Sequence, residues 1–199
     1  MDAPSCDITA FLLAGGKSTR MGADKAFVRL DGRMLLERAL ELARSVASDV
    51  RIVGESAKFA PFAPVVEDVF RECGPLGGIH AALRASRTEL NVILAVDVPF
   101  VSGALLEYLI KRARGSAQAT VTVAKTGGGW QPLCAVYRLE FVDAAEKALR
   151  EGRYRIDALF EEARTQVIGG EELDAAGFSL NMFRNLNTRE ELEAARELG

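Results

Sequence analysis

An apolar run, residues 8–13, is followed directly by a loop that is rich in glycine and carries two cations. An uncharged run of this kind is typical of a buried strand, and glycine lets backbone N–H groups come close to an anion. The two cations are Arg20 and Lys25. The combination predicts a phosphate-binding site at the end of a first strand, and the alternative is an ordinary strand-to-helix turn with a solvated basic face. The loop glycines are Gly15, Gly16 and Gly22.

This loop matches neither of two widespread nucleotide-binding motifs. The P-loop requires G-x-x-x-x-G-K-[ST]. Gly16, Lys17 and Ser18 fit its end, but Phe11 occupies the position of the first glycine. The dinucleotide fingerprint G-x-G-x-x-G does not match the glycine spacing either. We therefore expect neither a P-loop NTPase nor an ordinary dehydrogenase.

Short apolar runs alternate with helical periodicity along the first half of the chain. Such alternation predicts parallel strands joined by right-handed crossovers, and so an α/β fold with a mostly parallel sheet. We find no long linker and no internal repeat, and we expect a single domain over residues 1–199. Strands are predicted at 8–13, 50–53, 65–66, 91–96, 120–124 and 133–137. Helices are predicted at 34–47, 74–87, 102–114, 141–150 and 157–163, and from Thr188 onward.

Two acidic residues follow predicted strands. Asp97 ends the most apolar run, and Asp68 follows Val65 and Val66. Ligands of parallel α/β sheets bind at the carboxyl ends of the strands, so we expect both acids near the glycine-rich loop. Mg²⁺ prefers carboxylate and phosphate oxygens, which makes Asp97 a candidate metal ligand; the alternative is a turn residue before Pro99. Asp68 could accept hydrogen bonds from guanine N1–H and N2–H₂, and a solvated turn acid fits the sequence equally well.

Several further segments are candidates for the site. The helix that begins within 74–78 could direct its N-terminus, including Gly78, toward an anion, or could be a structural turn. Trp130, after a run of three glycines, could cover a planar ligand or belong to the core. Asn185 and Asn187 face one side of an extended segment and could serve a metal-bound phosphate or backbone groups. Residues 153–155 could meet an anionic second substrate or form a solvated turn. We interpret His80 as a helix residue rather than a base.

Composition excludes some classes of partner. The formal net charge of −3 gives no general basic field for nucleic acid or membrane binding. No apolar stretch reaches the roughly 18 residues that span a bilayer, and the N-terminus lacks the basic start of a signal peptide. We therefore expect a cytoplasmic protein. Three distant cysteines and one histidine give no zinc-site spacing.

The loop at 13–25 resembles the signature loop of nucleotidyltransferases of the molybdenum cofactor guanylyltransferase type. That loop alone is shared with sugar and isoprenoid nucleotidyltransferases, but later motifs narrow the resemblance and extend it over nearly the whole chain. These motifs, which stand in the family's order, are Glu67-Asp68, 74–79, 97–100, 131–133 and 185–188.

The resemblance implies a three-layer Rossmann-like nucleotidyltransferase fold. It also implies transfer of GMP from GTP, with Mg²⁺ (Mn²⁺ is the alternative metal), to the phosphate of molybdenum-bound molybdopterin, with release of pyrophosphate. By carry-over, the nucleotide is held by Leu13, Ala14 and Gly15, its phosphates by Lys25, its guanine by Asp68, the metal by Asp97 and the pterin by Asn185 and Asn187. With the loop chemistry added, the candidate catalytic residues are Arg20, Lys25 and Asp97, and Gly16 and Gly78 are further binding residues.

At the end of the second strand, this chain has Gly54 where the family commonly has asparagine. A base or ribose contact is then absent or supplied by another group. A cytidylyltransferase acting on the same cofactor, another sugar or isoprenoid nucleotidyltransferase, and a non-catalytic nucleotide- or cofactor-binding protein are the alternatives. Candidate partner proteins are those that insert molybdenum or act as molybdoenzyme chaperones, and we expect a monomer or a weak homo-oligomer.

Overall fold

The computed structural model describes residues 5–15, 24–160, 164–186 and 191–193. Seven of its strands form one sheet in the order β5-β4-β1-β6-β8-β7-β9. β1, β4, β5 and β6 are mutually parallel, β8 is antiparallel to β6 and β7, and β9 is parallel to β7. The strands are β1 Ser5–Leu13, β4 Ala47–Val53, β5 Val65–Val66, β6 Leu90–Ala95, β7 Val121–Thr126, β8 Gly129–Arg138 and β9 Thr165–Gly169; β2 Arg29–Leu30 and β3 Arg33–Met34 form a separate hairpin.

Helices cover both faces of the sheet. α1 and α4 contribute to the core on one face, and α3 and α5 contribute to the core on the other. The helices are α1 Leu35–Val46, α2 Ser56–Phe59, α3 Gly74–Ala85, α4 Gly103–Arg114, α5 Phe141–Arg150 and α6 Gly170–Ala175. Short 3-10 turns occur at Lys25–Phe27, Asp157–Leu159 and Leu180–Phe183.

The central strands are buried on both faces, as their continuous apolar sequence predicts. In β1, Ala10 and Leu12 pack into the core shared with α1 and α4, whereas Phe11 and Leu13 pack into the core shared with α3 and α5. In β6, Val92 and Ile93 divide between the two cores in the same way. This alternation follows from the two-residue period of a strand. The predicted α/β architecture with a mostly parallel sheet is therefore confirmed.

Most predicted elements are present with changed ends. β4 and β8 begin earlier than predicted, so the glycine run at 127–129 is the turn of a β7–β8 hairpin. The helix predicted at 157–163 was wrong over its described part: only a 3-10 turn spans Asp157–Leu159, and Phe160 is extended. Ser102 caps α4, as predicted, by accepting a hydrogen bond from the Leu105 N–H at 3.2 Å. Residues 191–193 are helical, while Thr188 and the rest of that predicted helix lie outside the described residues.

Candidate functional site

The carboxyl ends of β1, β4, β5 and β6 are joined by backbone hydrogen bonds. The Val96 N–H donates to the Leu13 carbonyl at 3.3 Å, and the Ala14 N–H donates to the Val53 carbonyl at 3.1 Å. The Gly54 N–H donates to the carbonyl of Val66, the last residue of β5, at 3.0 Å. These bonds place the segments that follow four strands along one edge of the sheet.

Lys25 and Asp97 form an ion pair at this edge. The Lys25 ammonium donates to Asp97 Oδ2 at 2.9 Å, and the two side chains are 22% and 17% exposed. Lys25 opens the 3-10 turn that follows the glycine-rich loop, and Asp24 caps this turn by accepting from the Ala26 N–H at 3.2 Å. The structure therefore brings a cation of the predicted phosphate loop and the predicted metal ligand into direct contact.

The segment that contains Asn185 lies next to Asp97. The Leu186 N–H donates to the Asp97 backbone carbonyl at 2.9 Å, and the Leu186 side chain is buried against Leu30 and Leu35. Asn185 itself is exposed. The buried leucine thus anchors the segment beside Asp97 and leaves the amide of Asn185 accessible to a ligand.

Asp68 follows β5 and is half-buried. Its Oδ1 atom is buried and has no hydrogen-bond partner among the described residues. Burial raises the pKa of the Asp68 carboxyl above its ordinary value, and the nearby His80 imidazole acts in the opposite direction. A buried carboxylate oxygen without a partner is costly, so this atom is suited to accept a hydrogen bond from a ligand.

Two glycines of α3 let neighbouring segments come close to the helix. A Cβ on Gly78 would lie 3.3 Å from a Leu13 methyl group, and a Cβ on Gly77 would lie 2.7 Å from the Phe70 carbonyl oxygen. Gly78 is therefore a packing position that holds the start of α3 against the end of β1. Gly77 similarly lets the segment after Asp68 lie directly on α3.

Gly54 and Gly15 adjoin each other at the ends of β4 and β1. A Cβ on Gly54 would lie 2.8 Å from two ring carbons of Phe59, and 3.7 Å from the Gly15 nitrogen. Phe59 is 1% exposed and stacks on Phe27 with ring centroids 5.7 Å apart. The buried ring therefore takes up the space that a side chain at position 54 would need.

Trp130, a candidate cover for a planar ligand, and the two arginines of the segment that could meet an anionic second substrate already have protein partners. Trp130 is half-buried at the start of β8, where the Lys125 ammonium lies 4.6 Å from its ring centroid and Phe160 packs against it at 5.1 Å. Arg153 pairs with Glu151 and Arg155 with Asp157 on the surface. The arginine pairs agree with the solvated-turn interpretation, and Trp130 is a partly packed residue rather than a free aromatic lid.

Three predicted site residues, Gly16, Arg20 and Asn187, lie outside the described residues. Sequence reasoning missed the partner of His80: its Nε2 lies 3.5 Å from Oε2 of Glu146 on α5, 66 positions away. Only the packing of α3 on α5 reveals this pair, because no local pattern links the two residues. Among the described residues, we find no cluster of three or more histidine, cysteine or acidic residues that could hold a metal by itself.

Comparison with known proteins assigns the chain to a family. Residues 10–167 match the model of the MobA-like NTP transferase domain. The molybdenum cofactor guanylyltransferases of Desulfosudis oleivorans and Syntrophotalea carbinolica are 36% and 30% identical to this chain. The alignments cover 94% of this chain and 94% of the first relative, and 96% of this chain and 91% of the second.

A solved structure agrees with these relatives. The molybdopterin-guanine dinucleotide biosynthesis protein A of Archaeoglobus fulgidus superposes with a TM-score of 0.82 at 29% identity, over 96% of this chain and 97% of that one. Across the described part of the chain, no helix has both the length and the apolar character needed to cross a bilayer. The chain belongs to the MobA-like NTP transferase family, and it is a nucleotidyltransferase.

Proposed function

We propose that this protein transfers GMP from GTP to the terminal phosphate of molybdenum-bound molybdopterin, forming the guanine dinucleotide cofactor and releasing pyrophosphate. The observation that carries the proposal is the Lys25–Asp97 pair at 2.9 Å, at the strand edge where the glycine-rich loop begins. The pair places a cation that could bind phosphate next to a carboxylate that could bind a metal, and transfer from a metal-bound triphosphate requires both groups. We expect the protein to act in the cytoplasm, with molybdenum-insertion proteins or molybdoenzyme chaperones as partners.

The chemistry requires positioning and charge neutralisation more than proton transfer. An oxygen of the acceptor phosphate, already ionised near pH 7, forms a bond to the α-phosphorus of GTP. The bond from that phosphorus to the α,β-bridging oxygen breaks, and its electron pair leaves with pyrophosphate. Lys25, held at the edge of the triphosphate site, would balance charge on the transferring group, with Arg20 as a second cation. A general base is not needed, because the nucleophile carries no proton that must be removed.

The residues at the edge fit a magnesium ion that is bound jointly with nucleotide. Asp97 offers one hard carboxylate, and Asn185 lies beside it through the Leu186–Asp97 backbone hydrogen bond. One carboxylate with phosphate oxygens and water is an ordinary ligand set for Mg²⁺. When bound, the metal would offset negative charge on the phosphates. In this arrangement Asp97 would hold the metal, and Lys25 would contact the phosphates.

Asp68 is the proposed selector of guanine. An ionised carboxylate only accepts hydrogen bonds, and guanine presents two adjacent donors, N1–H and N2–H₂. Adenine and cytosine each place an acceptor nitrogen next to their amino group, which would face the carboxylate unfavourably. The buried, unpartnered Oδ1 of Asp68 supports this role. Leu13, Ala14 and Gly15, with Gly16 and Gly78, are the proposed remaining contacts to the nucleotide, and Asn185 and Asn187 would contact the pterin.

The test is a nucleotide panel. Titration calorimetry with GTP, ATP, CTP and UTP in Mg²⁺ should show a preference for GTP of at least about tenfold, and transfer assays with molybdenum-bound molybdopterin should release pyrophosphate from GTP. The Asp68→Asn variant should lose most of this preference while binding all four nucleotides through their phosphates. A preference for CTP would instead assign the cytidylyl reaction, and binding without pyrophosphate release would indicate a non-catalytic protein.

A further inference from the structure

Asp24 closes the N-terminal end of the short turn that carries Lys25. Its Oδ1 atom accepts a hydrogen bond from the Ala26 N–H at 3.2 Å. The Phe27 N–H donates to the Asp24 carbonyl at 3.0 Å and completes the turn. Aspartate commonly accepts in this way from the backbone two residues further along the chain. The side chain of Asp24 therefore bridges Lys25 and fixes the backbone on both sides of it.

The other end of the turn is held by packing. Ala26 is fully buried, and the Phe27 ring stacks on the buried ring of Phe59 with centroids 5.7 Å apart. The Lys25 side chain therefore starts from a backbone that is held at both ends. From this backbone its ammonium reaches Asp97 Oδ2 at 2.9 Å.

Both oxygens of the Asp24 carboxylate have partners. Oδ1 accepts from the Ala26 N–H, and Oδ2 lies 3.5 Å from the ammonium of Lys58, which also pairs with Glu55 at 2.8 Å. An acid directly before a phosphate-binding lysine would otherwise compete with phosphate for that lysine, or offer a second metal ligand. Because the turn and Lys58 engage both oxygens, the geometry favours a positioning role for Asp24 over metal ligation.

We propose that Asp24 is a positioning residue: through its hydrogen bond to the Ala26 N–H, it sets the place from which Lys25 meets the triphosphate. The inference rests on the proposed phosphate-binding role of Lys25. A cation held in place before the reaction stabilises developing charge without reorganisation at the moment of transfer. A misplacement of about 1 Å can lower a rate by about 10²-fold, so even a small shift of the turn affects catalysis.

The experiment compares Asp24→Ala and Asp24→Asn with the unmodified protein. Steady-state transfer assays give kcat/KM for GTP in Mg²⁺, and calorimetry gives the affinity for GTP. Asp24→Ala removes the acceptor, and we expect kcat/KM to fall about fivefold, which corresponds to about 1 kcal/mol, the typical effect of losing a capping side chain. Asp24→Asn keeps an oxygen that can accept from the Ala26 N–H, so its kcat/KM should stay within about twofold of the unmodified value.

A double-mutant cycle separates positioning from general stability. In a Lys25→Ala background there is no cation left to position, so adding Asp24→Ala should change kcat/KM by less than about twofold. The same loss in both backgrounds would indicate a purely structural role and overturn the proposal. Ser179→Ala is the matched control, since Ser179 caps another 3-10 turn by accepting from the Asn181 N–H at 3.3 Å. It should leave kcat/KM for GTP unchanged.

Asp24→Glu decides the matter if Asp24→Ala does not fold. It keeps the charge but moves the carboxylate one methylene farther from the backbone, so it should lose kcat/KM as the alanine variant does. Full activity in the folded alanine or glutamate variant would overturn the role of Asp24. A raised Mg²⁺ requirement in Asp24→Asn would instead assign a metal ligand.

These variants also separate the inference from the proposed function. If Lys25→Ala keeps the unmodified kinetics, the proposed phosphate-binding role of Lys25 fails. If Lys25→Ala loses activity while the Asp24 variants keep it, only the positioning role of Asp24 is removed.

Discussion

The ammonium of Lys25 lies 2.9 Å from Oδ2 of Asp97, although the two residues are 72 positions apart. The parallel pairing of β1 with β6, in register from Ile8–Leu90 to Leu13–Ala95, brings the ends of both strands together. The segment after each strand then supplies one charge. The pair is neutral as it stands. In the proposed function, a phosphate would take the place of Asp97 as the partner of Lys25, and the metal would take the place of Lys25 as the partner of Asp97.

Replacing Asp97 with alanine should lower GMP transfer by roughly 10²- to 10³-fold, the range found when one preorganised charge-stabilising group is removed. The protein should still unfold cooperatively, because the lost ion pair is partly solvated. Steady-state transfer assays and thermal melting would measure the two effects. Asp49→Ala is the control, since Asp49 also pairs with a cation, Arg51 at 2.7 Å, but lies on β4 away from the carboxyl edge. Transfer by the Asp97 variant at the unmodified rate would exclude a metal role.

Replacing Lys25 with alanine should weaken GTP binding or turnover by at least about tenfold, because a phosphate-binding cation is lost at a partly buried position. Calorimetry with Mg-GTP and single-turnover kinetics would separate binding from chemistry. Lys147→Ala, which removes an exposed lysine of α5, should leave both unchanged. Equal kinetics for the Lys25 variant and this control would mean that Lys25 does not bind the phosphates.

Gly77→Ala should destabilise the protein and disturb base selection. Alanine gains about 1 kcal/mol of helix propensity over glycine, but its Cβ would lie 2.7 Å from the Phe70 carbonyl oxygen, so the segment after Asp68 must move. We expect the free energy of unfolding to fall by about 1–3 kcal/mol and the preference for GTP over ATP to decrease. Gly170→Ala, where the new Cβ would meet Leu180 at 3.8 Å, is the control for urea denaturation. A stabilised variant with intact GTP preference would contradict this account of Gly77.

Introducing asparagine at position 54 should also destabilise the protein. The side chain would collide with the buried ring of Phe59, with a cost of about 1–3 kcal/mol for overpacking. The same substitution should lower the free energy of unfolding by less in a Phe59→Leu background, because leucine lacks the Cε2 atom, one of the two ring carbons that lie 2.8 Å from the new Cβ. A double-mutant cycle by urea denaturation measures this coupling. Equal costs in the two backgrounds would mean that Phe59 is not what excludes a side chain at Gly54.

Strands with no polar alternation were predictable, because burial on both faces leaves a continuous apolar sequence such as residues 91–96. β9 was missed, because it is a short strand at the edge of the sheet and its pairing with β7 is non-local. The hairpin of β2 and β3 was missed for a similar reason, since each strand has only two residues.

Residue types and their spacing were enough to predict the chemistry that this chain can offer: a glycine-rich basic loop, acids after apolar strands, and a family resemblance that the comparisons confirm. These features are local, and they depend on residue type and spacing along the chain. Which groups meet depends on how the chain folds, because contacts such as Lys25 with Asp97 and His80 with Glu146 join segments far apart in the chain. The fold also places the Phe59 ring in the space beside Gly54. Close packing of this kind depends on the three-dimensional shapes of neighbouring groups, which the order of residues does not show.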